Sequence, residues 1–243
     1  MRAKSLLLTG LTGVLLALQG SAFAQTRQEL LQQLGDPDSF GHNAKYMGLV
    51  SSGLVLLRPS CEGEELGPDD RCIVLNPGNE LTEFNLPDIG RITFPAGSTV
   101  SLIYTIISPN LNYQFLNAGG APVPNARFAF APYFTLESDA LADPALINPV
   151  TGAPFGGRLD LTFAGRTVDR SLAAGERARE ALNYTRAGIG GISTAVLREN
   201  YGLSAQVIGR IFRGQITLRV GMRGNVRQVS DAFLFFSSRF MGD

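Results

Sequence analysis

Between residues 99 and 136, and again between 216 and 240, apolar and polar side chains alternate. That period of two limits the fold more than any other feature of the chain. Leu111, Tyr113 and Phe115 alternate with Asn110, Asn112 and Gln114. Phe128, Phe130, Phe134 and Leu136 stand opposite Arg127, Tyr133 and Thr135. Leu159, Leu161 and Phe163 alternate with Asp160 and Thr162, and Ile216, Leu218, Val220 and Met222 alternate with Thr217, Arg219 and Arg223. The β-branched run 99–107 places Val100, Leu102, Tyr104 and Ile106 on one face. Successive side chains of a strand point to opposite faces, so these segments read as half-buried strands. Seven or more such strands, separated by Gly, Pro and Asn, predict a mainly β fold. The expected architecture is an antiparallel β-sandwich of immunoglobulin-like or jelly-roll type.

The same alternation would serve a small outer-membrane β-barrel, with apolar side chains toward lipid and polar ones toward the lumen. Three features weigh against membrane insertion. Phe240 is followed by Met-Gly-Asp, the chain has no Trp for an interfacial girdle, and a long stretch precedes the regular strands.

Around the strands the pattern is less regular. Residues 26–34 predict a short amphipathic helix, with Thr26 as cap, Glu29 three residues on, Leu30, Leu31 and Leu34 as the apolar stripe, and Gly35 as the stop. Residues 46–57 are apolar, but Gly48 and Gly53 favour strand or bulge over helix. Residues 171–186 suit either a helix or a strand edge. Residues 193–212 predict a small helical insertion in two pieces: Ser193 caps the first, Gly202 ends it, and Ser204 precedes Val207, Ile208, Ile211 and Phe212 on one helical face. Gly224-Asn225 offers a tight turn into 226–240. Residues 144–157 read as a surface loop.

The first 24 residues carry an export signal. Arg2 and Lys4 precede an apolar stretch at 6–18 that is short for a membrane span, and Ala22-Phe23-Ala24 places small residues where a signal peptidase reads. An uncleaved anchor is the alternative. The expected mature chain is 25–243, one β-rich domain with an N-terminal extension at 25–88 made of the helix and a disulfide loop. Its expected location is the periplasm or the cell exterior. In an oxidising compartment Cys61 and Cys72, the only cysteines, should pair as a structural disulfide.

The sequence carries few signs of catalysis. His42 is the only histidine, which restricts any Ser-His-Asp or Cys-His machinery to that residue and removes multi-histidine zinc sites. The mature chain has no Gly-x-Ser-x-Gly elbow, phosphate-binding glycine loop or His-Glu-x-x-His. Gly188-Ile-Gly-Gly-Ile192 lacks the strand-to-helix setting and acidic partner of a dinucleotide site and reads as a tight bend. The run from Asp36 to Gly41 starts like a calcium loop but has Phe40 and Met47 where oxygens are needed. Glu62, Glu64, Glu65, Asp69 and Asp70 form a denser acidic group, read as solvated, with calcium as the alternative. No catalytic residue, cofactor site or metal site is assigned.

Charge is unevenly distributed. Residues 25–157 hold 14 acids and six bases, a net of −8, whereas 158–243 hold 13 arginines and seven acids, a net of +6. The halves either interleave within one molecule or favour self-association through oppositely charged ends. Nucleic acid is excluded as a partner because the arginines are scattered along alternating strands. The expected function is therefore a non-enzymatic exported protein with a structural or binding role, contacting a protein or envelope component. The alternatives are the barrel and, third, a secreted hydrolase built on a carboxylate pair.

Overall fold

The structure, a computed structural model, describes residues 45–163, 165–183 and 188–243. In chain order the early strands are β1 (Lys45–Ser51), β2 (Val55–Arg58), β3 (Arg71–Val74), β4 (Thr82–Leu86) and β5 (Arg91–Phe94). The long strands β6 (Leu102–Leu116) and β7 (Val123–Glu137) follow, then β8 (Arg158–Thr162), β9 (Arg166–Leu172), β10 (Arg177–Asn183) and β11 (Gly188–Ser193). Helices α1 (Thr194–Glu199) and α2 (Ala205–Arg213) lead into β12 (Ile216–Arg227) and β13 (Val229–Gly242).

Four long strands organise these elements into a two-sheet β-sandwich. In sheet I, β6 pairs antiparallel with β13; in sheet II, β7 pairs antiparallel with β12. Each long strand is bordered on its other side by two short strands in tandem. β1 and β2 border β13, β4 and β5 border β12, β8 and β9 border β7, and β10 and β11 border β6. β3 then adds to β2 in parallel, the one parallel pairing among the described residues. A parallel neighbour needs a crossover of a dozen or so residues, and the disulfide loop between β2 and β3 supplies it.

The alternation read from the sequence sorts side chains as a sandwich requires. Leu111, Tyr113 and Phe115 from sheet I meet Phe128, Phe134, Leu218, Val220 and Met222 from sheet II, all buried. Tyr113 and Phe128 stack nearly parallel, with ring centroids 4.0 Å apart. Burying an aromatic or branched aliphatic side chain is worth about 1.5–3 kcal/mol, so these rows dominate the stability of the fold. The barrel alternative is not realised, because the apolar faces meet each other across the interior.

Elsewhere the local signals were overridden. Gly224-Asn225 is not a turn. β12 continues through it, with Gly224 between Phe84 and Phe130 and Asn225 between Glu83 and Ala129. Pairing on both flanks outweighs the local turn preference, and the chain reverses at Gln228, whose φ is 57°. The glycines at 188–192 are likewise not a bend but most of β11. Gly191 lies opposite Tyr104, so close that a Cβ there would collide with the β6 backbone. In β6 the core face is carried by Ile103, Thr105 and Ile107, while Tyr104 and Ile106 are half-buried on the outside and Val100 is exposed. Of the undecided 171–186 stretch, residues 171–172 end β9 and Arg177–Asn183 form β10, and 184–186 lie outside the described residues.

The helical insertion forms as the capping residues indicate. Ser193 and Ser204 accept hydrogen bonds from the backbone N–H groups of Val196 and Val207. Leu197, Val207, Ile208, Ile211 and Phe212 join the core with Leu141 and Phe155 and close one end of the sandwich. From Lys45 onward, the stretch assigned above to an N-terminal extension supplies β1–β4 to both sheets. The predicted helix at 26–34, the segment from Asp36 to Gly41, His42 and the export signal lie outside the described residues.

Along one edge the sheets are joined through backbone. The break between β1 and β2 meets the break between β4 and β5, where Gly53 N–H donates to the Ile89 carbonyl at 2.5 Å. Arg71 reaches the Asp88 carbonyl at 2.9 Å beside it. The opposite edge is joined by side chains: Arg170 of β9 bonds Glu180 of β10 at 3.2 Å and Glu176 at 3.0 Å.

Candidate functional site

The outward face of sheet II is built in register rows. Because β4 and β5, β12, β7, and β8 and β9 lie side by side, outward residues of neighbouring strands stand next to each other. The two rows nearest the helical end are Thr93, Thr217, Glu137 and Arg158, then Arg91, Arg219, Thr135 and Asp160. Several of their polar groups pair with one another. Arg219 donates to Asp88 at 2.6 Å and lies 2.9 Å from Glu137, which also pairs with Arg158 at 3.1 Å. Thr93 and Thr217 share a 3.0 Å hydrogen bond, and Thr135 donates to Asp160 at 2.6 Å. The bond to Glu137 outweighs the cost of burial and holds the Arg219 guanidinium above its ordinary pKa.

Beyond these rows the surface drops. Gly221 stands beside Tyr133, and a Cβ there would run into the tyrosine ring. Its absence lets Tyr133 lie across β12 and donate to Asn85 of β4 at 2.9 Å. Burial raises the Tyr133 phenol, Asp160 adds to the shift, and Arg223 partly offsets it. Past Tyr133 the outward positions of β7 are Ala131 and Ala129, while their neighbours on β12 and β4 are long: Arg223, Asn225, Asn85 and Glu83. Small residues between long ones leave an open trough of about 600 Å³ along β7. Its size falls in the range of small-ligand sites.

At its far end the trough is lined by Arg127, and Arg227 lies beside it just beyond the lining. Arg127 and Arg227 lie directly opposite each other on β7 and β12, a like-charge pairing that costs stability. Asp169 binds Arg127 through both carboxylate oxygens, at 2.8 and 2.9 Å, and Arg127 also donates to Asn225 at 2.7 Å. Arg227 has no such compensation, and its buried Nε has no partner among the described residues. Arg223 makes a single long bond of 3.4 Å to Thr162. Arg223 and Arg227 therefore make fewer polar contacts than Arg219, which reaches both Asp88 and Glu137.

The sequence-assigned residues lie elsewhere. Cys61 and Cys72 are bonded, with Cα atoms 5.9 Å apart. Their loop folds onto β2: the Asp70 carboxylate accepts the N–H groups of Leu54 at 2.7 Å and Gly67 at 2.8 Å, which lowers its pKa. Glu64 pairs with Arg58, and Arg58 also bonds Asp231. Among the described residues no three His, Cys, Asp or Glu side chains converge to hold a metal. Arg219 contacts both Asp88 and Glu137, and Arg170 contacts both Glu176 and Glu180. The ion pairs of Arg127, Arg158 and Arg219 with Asp169, Glu137 and Asp88 each join the acidic half of the chain to the basic half.

No protein-family model matches the chain, and no curated protein matches it. Among solved structures it is similar to VP2 of infectious bursal disease virus. The subviral particle matches at 10% identity over 82% of this chain and 32% of that one, with a TM-score of 0.19. The T13 viral particle of the same virus matches at 12% identity over 82% of this chain and 39% of that one, with a TM-score of 0.15. The chain spans about a third of the length of these structures. At such TM-scores the likeness carries no argument about what the chain does.

The trough residues were not singled out by sequence. The arginines of strands β7 and β12 read as scatter because their meaning depends on which strands become neighbours. One signal was present: Ala129 and Ala131 take the outward positions of β7 between Arg127 and Tyr133, where solvent-facing polar residues are the rule.

Proposed function

We propose that the mature chain is an exported, non-catalytic recognition protein of the cell envelope or cell exterior, and that the outer face of sheet II is its contact surface. The observation that supports this reading is the contrast within that face. Arg219 pairs with both Asp88 and Glu137, while Arg223 and Glu83 line an open trough and Arg223 makes a single long bond to Thr162. A rigid sheet floor with convergent polar side chains suits binding. Arg170 and Arg219 each pair with two carboxylates, which favours a structural role for Glu176, Glu180, Asp88 and Glu137. The disulfide and the export signal suit an oxidising compartment.

The test is fractionation followed by co-sedimentation. Protein recovered from the periplasm or medium should begin at Gln25, and the purified chain should co-sediment with envelope fragments. Recovery only from the cytoplasm with Met1 retained, or no co-sedimentation, overturns the reading.

A further inference from the structure

We propose that the trough along β7 binds an extended, carboxylate-bearing polysaccharide, with its acidic groups held by Arg223 at one point and by the Arg127/Arg227 pair at the far end. The inference rests on the recognition role proposed above and gives it a ligand class.

Charge comes first. Arg127 and Arg227 face each other on neighbouring strands, and only Arg127 has a carboxylate partner. Arg223 lies four residues from Arg227 on the same outward side of β12, a distance of about 13 Å along an extended strand. Two cationic points at that spacing suit a ligand that carries negative charge at intervals, more than a single compact anion. A bound carboxylate between Arg127 and Arg227 would relieve the like-charge contact, and a guanidinium meets a carboxylate with two parallel hydrogen bonds.

The other groups around the trough specify the rest of the ligand. Asn85, Asn225, Thr167 and Glu83 offer amide, hydroxyl and carboxylate groups between the cationic points. Hydroxyl-rich ligands use such donors and acceptors. An acidic peptide fits less well on two counts. The trough lies on the face of the sheet, where the backbone of β7 is paired on both sides and cannot accept an added strand. Its floor is formed by Ala129 and Ala131, which offer no deep pocket for an apolar anchor.

The experiment is calorimetric titration of the mature chain with three probes at low and moderate salt: a uronic acid oligosaccharide, the same oligosaccharide with its carboxyls reduced to alcohols, and an oligoglutamate of similar length. The expected result is binding of the uronic acid oligomer alone, weakened by salt because the contact is charge-based. Arg223→Gln should weaken it by about tenfold or more, the scale of one charge-assisted hydrogen-bonded pair. Arg91→Gln, on the same face outside the trough, should leave it unchanged. Equal binding of the reduced oligomer, preferential binding of oligoglutamate, no binding of the uronic acid oligomer, or indifference to Arg223→Gln each overturns the proposal. Arg227→Gln serves as the second variant if Arg223→Gln folds poorly. If co-sedimentation with envelope fragments persists while uronic acid binding is absent, the ligand class is wrong and the recognition role stands. If both are absent, the recognition role fails with it.

Discussion

The phenol of Tyr113 on β6 donates a 2.6 Å hydrogen bond to Glu180 Oε2 on β10, while its ring stacks on Phe128 of the opposite sheet. One side chain thus links the apolar interior to the ionic seam at the sandwich edge, because Arg170 of β9 holds the other oxygen of Glu180. Burial raises the Tyr113 phenol far above its ordinary pKa, and the bond to Glu180 and its charge add to the shift. A phenol with a raised folded pKa contributes fully below the unfolded value near 10, and its contribution falls as pH climbs above that value. The urea midpoint should therefore drop between pH 9 and 11. Tyr113→Phe should cost about 1–2 kcal/mol at pH 8 and show a shallower alkaline decline, as urea titrations of both proteins at each pH will show.

Asp243 makes the complementary case on the acid side. Its carboxylate receives the hydroxyls of Thr99 and Ser101 and the backbone N–H groups of Val100, Ser101 and Leu102. Burial alone would raise its pKa, but these bonds, Ser101 and Thr99 foremost, outweigh burial and hold it well below the usual carboxylate range. A lowered folded pKa gives stability that is present above about pH 4 and fades as pH falls below that value. Asp243→Asn should lower stability by about 1–2 kcal/mol at pH 7. The difference from the unmodified chain should shrink toward pH 2, which thermal melts across that range will detect.

Gly191 is expected to be intolerant of any side chain. Because a Cβ there meets the backbone of β6 and Tyr104, Gly191→Ala must separate β11 from β6. The expected cost is about 1–3 kcal/mol, in line with other forced overpacking, and a fall in Tm reads it out. Gly175→Ala is the control: that glycine has open space around it, and its φ of 71° makes the cost conformational, about 1 kcal/mol.

Loss of the Cys61–Cys72 bond should leave the sandwich folded but weaker. A loop of this length contributes about 3 kcal/mol in the chain-entropy account. Reduction, or the Cys61→Ser/Cys72→Ser pair, should lower the unfolding free energy by that amount, read as a lower urea midpoint at unchanged slope. Near-ultraviolet signals from Tyr113 and Tyr133, remote in sequence from the loop, should keep their native form before the transition.

The long strands were legible because their alternation reflects burial on one face, a property each segment carries by itself. Phe128, Phe134, Leu218 and Val220 are buried as their positions in the pattern require. The helical insertion was legible for a similar reason, since Ser193 and Ser204 act on N–H groups three residues away. What escaped depends on neighbours far apart in sequence. Gly224-Asn225 has the composition of a turn but lies between two partner strands, and the glycines of β11 serve the close approach of β6. The trough is the extreme case: Glu83, Arg127 and Arg223 meet only because β4, β12 and β7 become adjacent.

The tandem construction of the outer strands bears on how such a chain resists aggregation at high concentration. An unbroken strand on the rim of a sheet is a template on which another copy can extend the sheet and start a fibril. Here the rim strands are short: β4, β5, β8, β9, β10 and β11 each run four to seven residues. A stray strand would find a few partners and then lose register. The interruptions give up some ladder hydrogen bonds, and in exchange they deny aggregation a continuous seed.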